Sequence, residues 1–513
     1  MISPAAENFG RNEQHMSASR EKKKRQEMLA SGAVDPKAAR AAEQKAAERK
    51  SNILYGVVAA VFVVVAAALL IYNSGIIQRG QTAVTIDGEK YTVPETAYYY
   101  GQVCNNYASL FGQEYLQTLK TQPHPQDSEK TYNDYFKEQA VENMKYIHAA
   151  ASAAREANLA LESTDEETVK ANVDSMKSAA ANNGVSYGAY LKAVYGPTMT
   201  GSVFESCLRE QLLASKYAAK YSEENFVYSE DDILSYYNEN KDSYDIIDGA
   251  YVTINGTPEA KTDDEGNAVE ATDEEKAAAL AEAAEKAQAI LDAYQAGGDL
   301  EAAASAQDAT VSTTISGSST VYGAWFFDEA RKSGDADVIE DATNSRYYVA
   351  VFNSRQRDDS PATYSVRHIL VTADNLGLPE GEEASDEQIK AKADEILASW
   401  DGTEDGFATL ANDNSQDGGS NTTGGLYEDV AKGQMVADFE DWCYEDGRQP
   451  GDTGVVKSSY GYHIMYFVGY GDEQNWHYSC ENAMRSSAES EWQDGLIAAA
   501  SAEINEGGMK NVG

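Results

Sequence analysis

Two histidines in apolar runs and one aspartate in a Gly-rich loop are residues of this 513-residue chain whose types could do chemistry. His368 lies in the apolar run Val366-Arg367-His368-Ile369-Leu370-Val371, and His463 lies in Tyr462-His463-Ile464-Met465-Tyr466-Phe467. A neutral imidazole donates at one ring nitrogen and accepts at the other, so two of them can order a hydrogen-bond network. A histidine inside an apolar strand can equally be a core residue. Asp417 heads Asp417-Gly418-Gly419-Ser420, where a short acidic side chain also suits a turn. Cys104, Cys207, Cys443 and Cys480 are widely spaced and fit no zinc site. They allow two disulfides in three connectivities, or four free thiols.

The elements that must position these residues come from hydrophobic periodicity. Residues 363–471 read as a strand at 366–371, a helix at 385–400, a second helix holding Phe407-Ala408-Thr409-Leu410-Ala411, and a strand at 462–467. Residues 244–357 follow the same plan. Their strand is Ala250-Tyr251-Val252-Thr253-Ile254, followed by an acidic loop, an Ala-rich helix over 273–296, and the strand Tyr347-Tyr348-Val349-Ala350-Val351-Phe352. Ile290-Leu291-Asp292-Ala293-Tyr294 matches Ile396-Leu397-Ala398-Ser399-Trp400, so the two blocks read as a diverged internal repeat. Tyr251 then takes the position of His368, and Tyr348 that of His463. Residues 81–243 open with an Asp-Gly hairpin, and Pro94-Glu95 starts a helix. Helices are expected over 127–158, 162–181, 203–221 and 229–240.

Residues 363–471 resemble the parvulin family of peptidyl-prolyl isomerases over their whole length. Five pieces carry the resemblance in order: Arg367-His368-Ile369-Leu370-Val371, Phe407-Ala408-Thr409-Leu410-Ala411, Ser415-Gln416-Asp417, Gly433-Gln434-Met435-Val436-Ala437-Asp438-Phe439-Glu440, and Gly461-Tyr462-His463-Ile464. The resemblance implies paired histidines, His368 and His463, on adjacent central strands. It implies Asp417 at the family's Cys-or-Asp position facing the substrate amide, and Leu426, Met435 and Phe439 as the pocket for the proline ring. Met435 and Phe439, four residues apart, are also compatible with plain core. Rotation about an X–Pro amide crosses a barrier of about 18–20 kcal/mol because the C–N bond is partly double. No bond breaks, so neither nucleophile nor cofactor is required; no cofactor and no metal are expected. The site has to hold the ring and favour a twisted amide. The usual Gly-Asp-Leu-Gly run of the family stands here as Gly424-Gly425-Leu426-Tyr427. The loop after His368 is acidic, which disfavours a phosphoserine-proline preference.

In the same terms, residues 244–357 resemble a degenerate parvulin without isomerase activity, and the pocket helix has no clear counterpart there. Residues 81–243 resemble the helical chaperone module of PrsA-like and SurA-like foldases, on Ile86-Asp87-Gly88-Glu89, Arg209-Glu210-Gln211-Leu212-Leu213 and Tyr236-Tyr237-Asn238-Glu239-Asn240-Lys241. Residues 472–513 read as a C-terminal helix that could join this module.

Charge and hydropathy bound the setting. The chain carries 84 acidic and 41 basic residues, a net charge of −43, which argues against nucleic acid as a partner. Residues 1–52 are net basic at +4, and residues 53–72 are twenty uncharged residues. At 1.5 Å per residue that stretch is about 30 Å long, enough for one transmembrane helix. Lys22-Lys23-Lys24-Arg25 and Arg49-Lys50 precede it, which predicts a cytoplasmic N-terminal tail and an extracytoplasmic bulk. An uncleaved signal anchor in a bacterial cell membrane follows.

The expected fold is therefore α+β: a transmembrane helix at 53–72, a helical module at 81–243, and two parvulin-like (FKBP-like) domains at 244–357 and 363–471. The expected activity is isomerase and chaperone work on unfolded polypeptides containing X–Pro bonds, with a homodimer left open. A holdase that only grips extended chains is the alternative. A structural surface protein would leave the five ordered motifs unexplained.

Overall fold

A computed structural model describes residues 75–513 except 264–267, 316, 380 and 381, together with residues 22, 23, 26, 27, 30 and 61–65. The expected tail, 1–52, and the expected membrane span, 53–72, lie outside the described residues apart from those few positions. Among the described residues no helix is long and apolar enough to cross a membrane. The chain divides into two compact units, residues 1–220 with 493–513, and residues 221–492.

The first unit begins with a short helix α1 (Ile76–Arg79) and a hairpin of β1 (Thr82–Ile86) and β2 (Glu89–Thr92). The turn is Asp87-Gly88, both at positive φ, as a two-residue hairpin turn requires. Helix α2 (Val93–Phe111) starts at a capping box in which the Thr92 N–H and hydroxyl both reach Glu95, with Pro94 in its first turn. Such a cap stabilises a helix start by about 0.5–2 kcal/mol. Then follow α3 (Gln113–Leu119) and a small hairpin of β3 (Pro123–His124) and β4 (Asp127–Thr131). Four helices complete the unit: α4 (Tyr132–Glu156), α5 (Ser163–Asn182), α6 (Tyr187–Tyr195) and α7 (Gly201–Asn225), the last running into the second unit. The helix expected from residue 127 thus starts at 132. Thr131 caps it through Asp134, and residues 127–131 instead pair with β3. Tyr98, Phe136, Met144, Leu191 and Phe204 are almost fully buried at its centre.

The second unit opens with α8 (Glu230–Glu239), whose Ser229–Asp232 capping box matches the acidic start seen in the sequence. It contains two four-stranded antiparallel sheets of one plan. The first is β5 (Asp245–Asn255), a two-strand ribbon of β6 (Lys261–Thr262) and β7 (Ala268–Val269), α9 (Asp273–Gln295), α10 (Leu300–Ser305), β8 (Val311–Ser312), α11 (Val321–Phe326), β9 (Ala336–Asp341) and β10 (Arg346–Arg357). The second is β11 (Thr363–Val371), α12 (Asp386–Ala398), α13 (Glu404–Asn414), β12 (Leu426–Ala431), α14 (Ala437–Cys443), β13 (Thr453–Ser458) and β14 (Gly461–Tyr470). The sheet orders are β8-β5-β10-β9 and β12-β11-β14-β13. Helix α11 therefore occupies, in chain order, the place of α14. It is the counterpart that the sequence did not reveal, because only six residues form it and no Gln-Met pair marks it.

Period-two alternation divides each sheet into two faces. In the second sheet, Ile369, Val371 and Ile464 face α12 and α13 with Ala393, Ile396, Phe407 and Ala411. Tyr364, Val366, Met465 and Phe467 face α14 with Phe439 and Cys443. Burying each such side chain contributes about 1.5–3 kcal/mol. Helix α15 (Asn475–Ala499) follows, and the chain closes with β15 (Ala502–Ile504) and α16 (Glu506–Met509). Strand β15 pairs antiparallel with β1 in the first unit. The four cysteines are free and buried.

Candidate functional site

Alternation on β11 puts His368 on the face of Tyr364 and Val366, and alternation on β14 puts His463 beside Met465 on the same face. The register sets Leu370 opposite His463 and His368 opposite Met465, so the imidazoles are diagonal neighbours. Their Nδ1 atoms are 3.1 Å apart and their rings stack with centroids 5.3 Å apart. Both residues are buried, at 4% and 5% exposure. One proton bridges an Nδ1–Nδ1 contact, so the dyad is held together only while one of the two Nδ1 atoms is unprotonated. Nε2 of His463 meets the Ser458 hydroxyl at 2.7 Å, and that hydroxyl oxygen accepts the Tyr460 N–H.

The loop after α13 carries Asp417 to this pair. Ser415 accepts the Leu370 N–H through its hydroxyl, and the Gln416 N–H donates to the Leu370 carbonyl. These two bonds clip the loop to β11. Further along, the His368 N–H donates to the Gly425 carbonyl at 2.8 Å. Gly425 sits at φ 70°, and a Cβ there would meet the His368 carbonyl oxygen at 2.2 Å. Only glycine permits that approach.

Asp417 Oδ2 lies 2.9 Å from His368 Nε2, 2.5 Å from the Ser420 hydroxyl and 3.0 Å from the Tyr427 hydroxyl. Its other oxygen accepts the Gly419 N–H. The imidazole hydrogen bond, reinforced by the two hydroxyls and the amide, holds the Asp417 carboxyl well below the usual carboxylate range, against the opposing effect of burial. Burial, and then the neighbouring His368, push His463 down to about 4.

Phe439 covers the dyad from α14, with its ring 5.3 Å from each imidazole and edge-on to both. Met435 and Val436 pack against the same cluster, partly exposed. Leu426 is placed differently. It stands opposite Arg367 in the ladder, and the Arg367 guanidinium reaches Glu404 at the start of α13. Directly opposed residues share a face, so the register puts Leu426 on the helix α13 side. Tyr427, opposite Val366, takes the imidazole side, its ring 5.4 Å from that of His368.

The structure thus brings His368, His463, Asp417, Phe439 and Met435 together. It adds Ser420, Tyr427 and Ser458, which sequence reading missed. The departure Leu426-Tyr427 from the usual Leu-Gly was the signal available for Tyr427. A serine in a Gly-rich loop or at a strand end gives none.

Residues 347–468 match the family model described as the PPIC-type PPIase domain. The chain is 33% identical over 104 residues to foldase protein PrsA 1 of Listeria innocua, covering 20% of this chain and 30% of that protein. It is 47% identical over 60 residues to foldase protein PrsA 3 of Bacillus cereus, covering 12% of this chain and 20% of that one. The chain thus spans about 30% or less of the length of these curated relatives. Among solved structures, the peptidylprolyl isomerase PrsA of Bacillus anthracis is 26% identical and covers 28% of this chain and 59% of its own, with a TM-score of 0.19. PrsA of Bacillus subtilis is 12% identical and covers 75% and 87%, with a TM-score of 0.26. The family match falls on the residues that build the imidazole–carboxylate site, so the domain they form is similar to PPIC-type PPIase domains and to the matched part of PrsA foldases.

Proposed function

We propose that the whole chain is an extracytoplasmic foldase that isomerises X–Pro bonds in unfolded polypeptides and also holds them. The observation that carries this reading is the closed network from Tyr427 and Ser420 through Asp417, His368 and His463 to Ser458, lying beneath Phe439. Phe439 and Met435 are the apolar wall for the proline ring. In a planar amide the carbonyl oxygen carries negative charge by resonance, and twisting removes part of it. A fixed carboxylate beside that oxygen therefore disfavours the planar state more than the twisted one. The dyad and its hydroxyl partners hold Asp417 in place, so the charge needs no reorganisation as the bond turns.

In this reading residues 363–471 are the working isomerase, residues 244–357 a degenerate copy, and residues 81–243 with the C-terminal segment a chaperone module. Residues 53–72 anchor the chain in a cell membrane with the N-terminus inside. Holding without catalysis is the second reading, and it is favoured by the first sheet, since no histidine occurs in residues 244–357. An isomerisation assay on the full chain with a proline tetrapeptide tests the proposal. Acceleration that falls sharply in Asp417→Ala supports it. No acceleration by the wild-type chain removes the isomerase claim and leaves holding.

A further inference from the structure

The two sheets of the second unit correspond residue by residue in their hydrogen-bond registers. His368 pairs with Met465, two residues beyond His463. Tyr251 pairs with Ala350, two residues beyond Tyr348. The faces agree as well. Val252 and Val349 pack with the long helix α9, as Ile369 and Ile464 pack with α12. Ala350 and Phe352 pack with Phe326 of α11, as Met465 and Phe467 pack with Cys443 of α14. Counting back four residues from Phe326 and from Cys443 reaches Tyr322 and Phe439. Tyr251, Tyr348 and Tyr322 therefore stand where His368, His463 and Phe439 stand in the other sheet.

The three rings touch. Tyr322 stacks on Tyr251 with centroids 4.5 Å apart and lies 4.9 Å from Tyr348, while Tyr251 and Tyr348 are 5.9 Å apart and edge-on. Tyr322 bridges the other two as Phe439 bridges the imidazoles. Tyr251 and Tyr322 are half-buried where His368 and Phe439 are buried, while Tyr348 is buried like His463, so two of the three rings present surface outward. The Arg346 guanidinium lies 5.7 Å from the Tyr348 ring.

We propose that Tyr251, Tyr322 and Tyr348 form a second polypeptide site that holds a proline-containing extended segment without isomerising it. A proline segment in the polyproline II conformation is rigid, and aromatic surfaces bind it with little ordering cost. Tyrosine adds flat apolar area and a hydroxyl that can donate to the exposed carbonyls of such a segment. The ring-holding half of the other site is kept and enlarged. The imidazole pair that fixes a carboxylate there is replaced by phenols, so nothing distinguishes the twisted amide from the planar one. The choice of occupant rests on reading the His368 site as an X–Pro site.

The test is calorimetric titration of the full chain with a decapeptide of alternating alanine and proline, read beside its isomerisation rate. Two binding events per chain are expected. Tyr322→Ala should weaken one of them at least tenfold and leave kcat/KM for a proline tetrapeptide unchanged, while Tyr322→Phe should keep both. Tyr251→Leu, which preserves bulk in the core, should act like Tyr322→Ala if the latter fails to fold. A single binding event in the wild-type chain, or two of wild-type affinity in both Tyr322→Ala and Tyr251→Leu, would overturn the proposal. Two events in a chain that shows no isomerisation would sink the enzymatic reading and leave this site standing.

Discussion

Asp417 and His368 are 49 residues apart in the chain and are joined by a 2.9 Å hydrogen bond between Nε2 and Oδ2. The bond ties a loop residue to a central strand. It orients the imidazole, and the imidazole in turn keeps the carboxylate charged.

That relationship makes Asp417 the most informative position for activity. Asp417→Ala should reduce kcat/KM for a proline tetrapeptide by roughly 10–100-fold, or about 1.4–2.7 kcal/mol of transition-state stabilisation. Asp417→Asn keeps the shape and loses the charge. If the charge acts on the planar amide, Asn should be nearly as slow as Ala. Equal rates for wild type and both variants would exclude the carboxylate from the chemistry.

The buried dyad also sets a pH limit. His463 is held down to about 4 in the folded chain against an ordinary value of 6.5. The unfolded chain therefore binds the proton more readily between these values. Stability from this group is fully present above about pH 6.5 and is lost as pH falls toward 4, by at most about 3–4 kcal/mol. Denaturant midpoints for the second unit should drop over that window. His463→Phe should flatten the drop, and an unchanged slope in that variant would assign it to other groups.

Gly425 tests how tightly the loop is clipped. At φ 70°, with a side-chain carbon at this position only 2.2 Å from the His368 carbonyl oxygen, alanine has no room. Gly425→Ala should destabilise by about 2–4 kcal/mol and lower the thermal midpoint by several degrees. Gly418→Ala, where nothing lies within 4 Å, is the control and should change little.

The four cysteines should behave as core residues. Burial pushes Cys443 up to about 12 and Cys480 up to about 11, so little thiolate exists at neutral pH. A colorimetric thiol reagent should titrate none of them quickly in the native chain and all four in denaturant. Fast labelling of the folded protein would contradict their placement.

Removing the last residues should affect the first unit. Strand β15 pairs Val84 with Ile504 and Ile86 with Ala502, and Asp87 accepts from the Ser501 N–H and hydroxyl at 2.9 Å each. Truncation after residue 500 exposes the edge of β1 and should lower the unfolding temperature of the helical unit while isomerisation continues. Unchanged melting of that unit would show that the closing strand is dispensable.

Much of this arrangement is legible in residue order. The helix caps at Ser229, Thr272 and Ser385 are local hydrogen-bond motifs, and local motifs survive in sequence. The long strands β5, β10, β11 and β14 announce themselves by apolar runs. The short elements β8, β12, β13 and α11 do not, because two to six residues give too few periods to read. The residues proposed for the proline pocket divide in the same way. Phe439 is reached through the family resemblance of its motif, whereas the choice between Leu426 and Tyr427 depends on strand register, and a shift of one residue exchanges the two faces.

From the sequence alone came the ordered motifs, the repeat, the positions of His368, His463 and Asp417, and the equivalence of Tyr251 and Tyr348 to the histidines. These follow from residue type and order along one chain, read through its resemblance to the parvulin family. Only the tertiary structure decided that Asp417 spends its carboxylate on His368, Ser420 and Tyr427, that the imidazoles share a single Nδ1 contact, and that three tyrosine rings meet in the other sheet. Each of those facts depends on side chains brought together across strands and loops, and distance in space is set by packing, which no local spacing encodes.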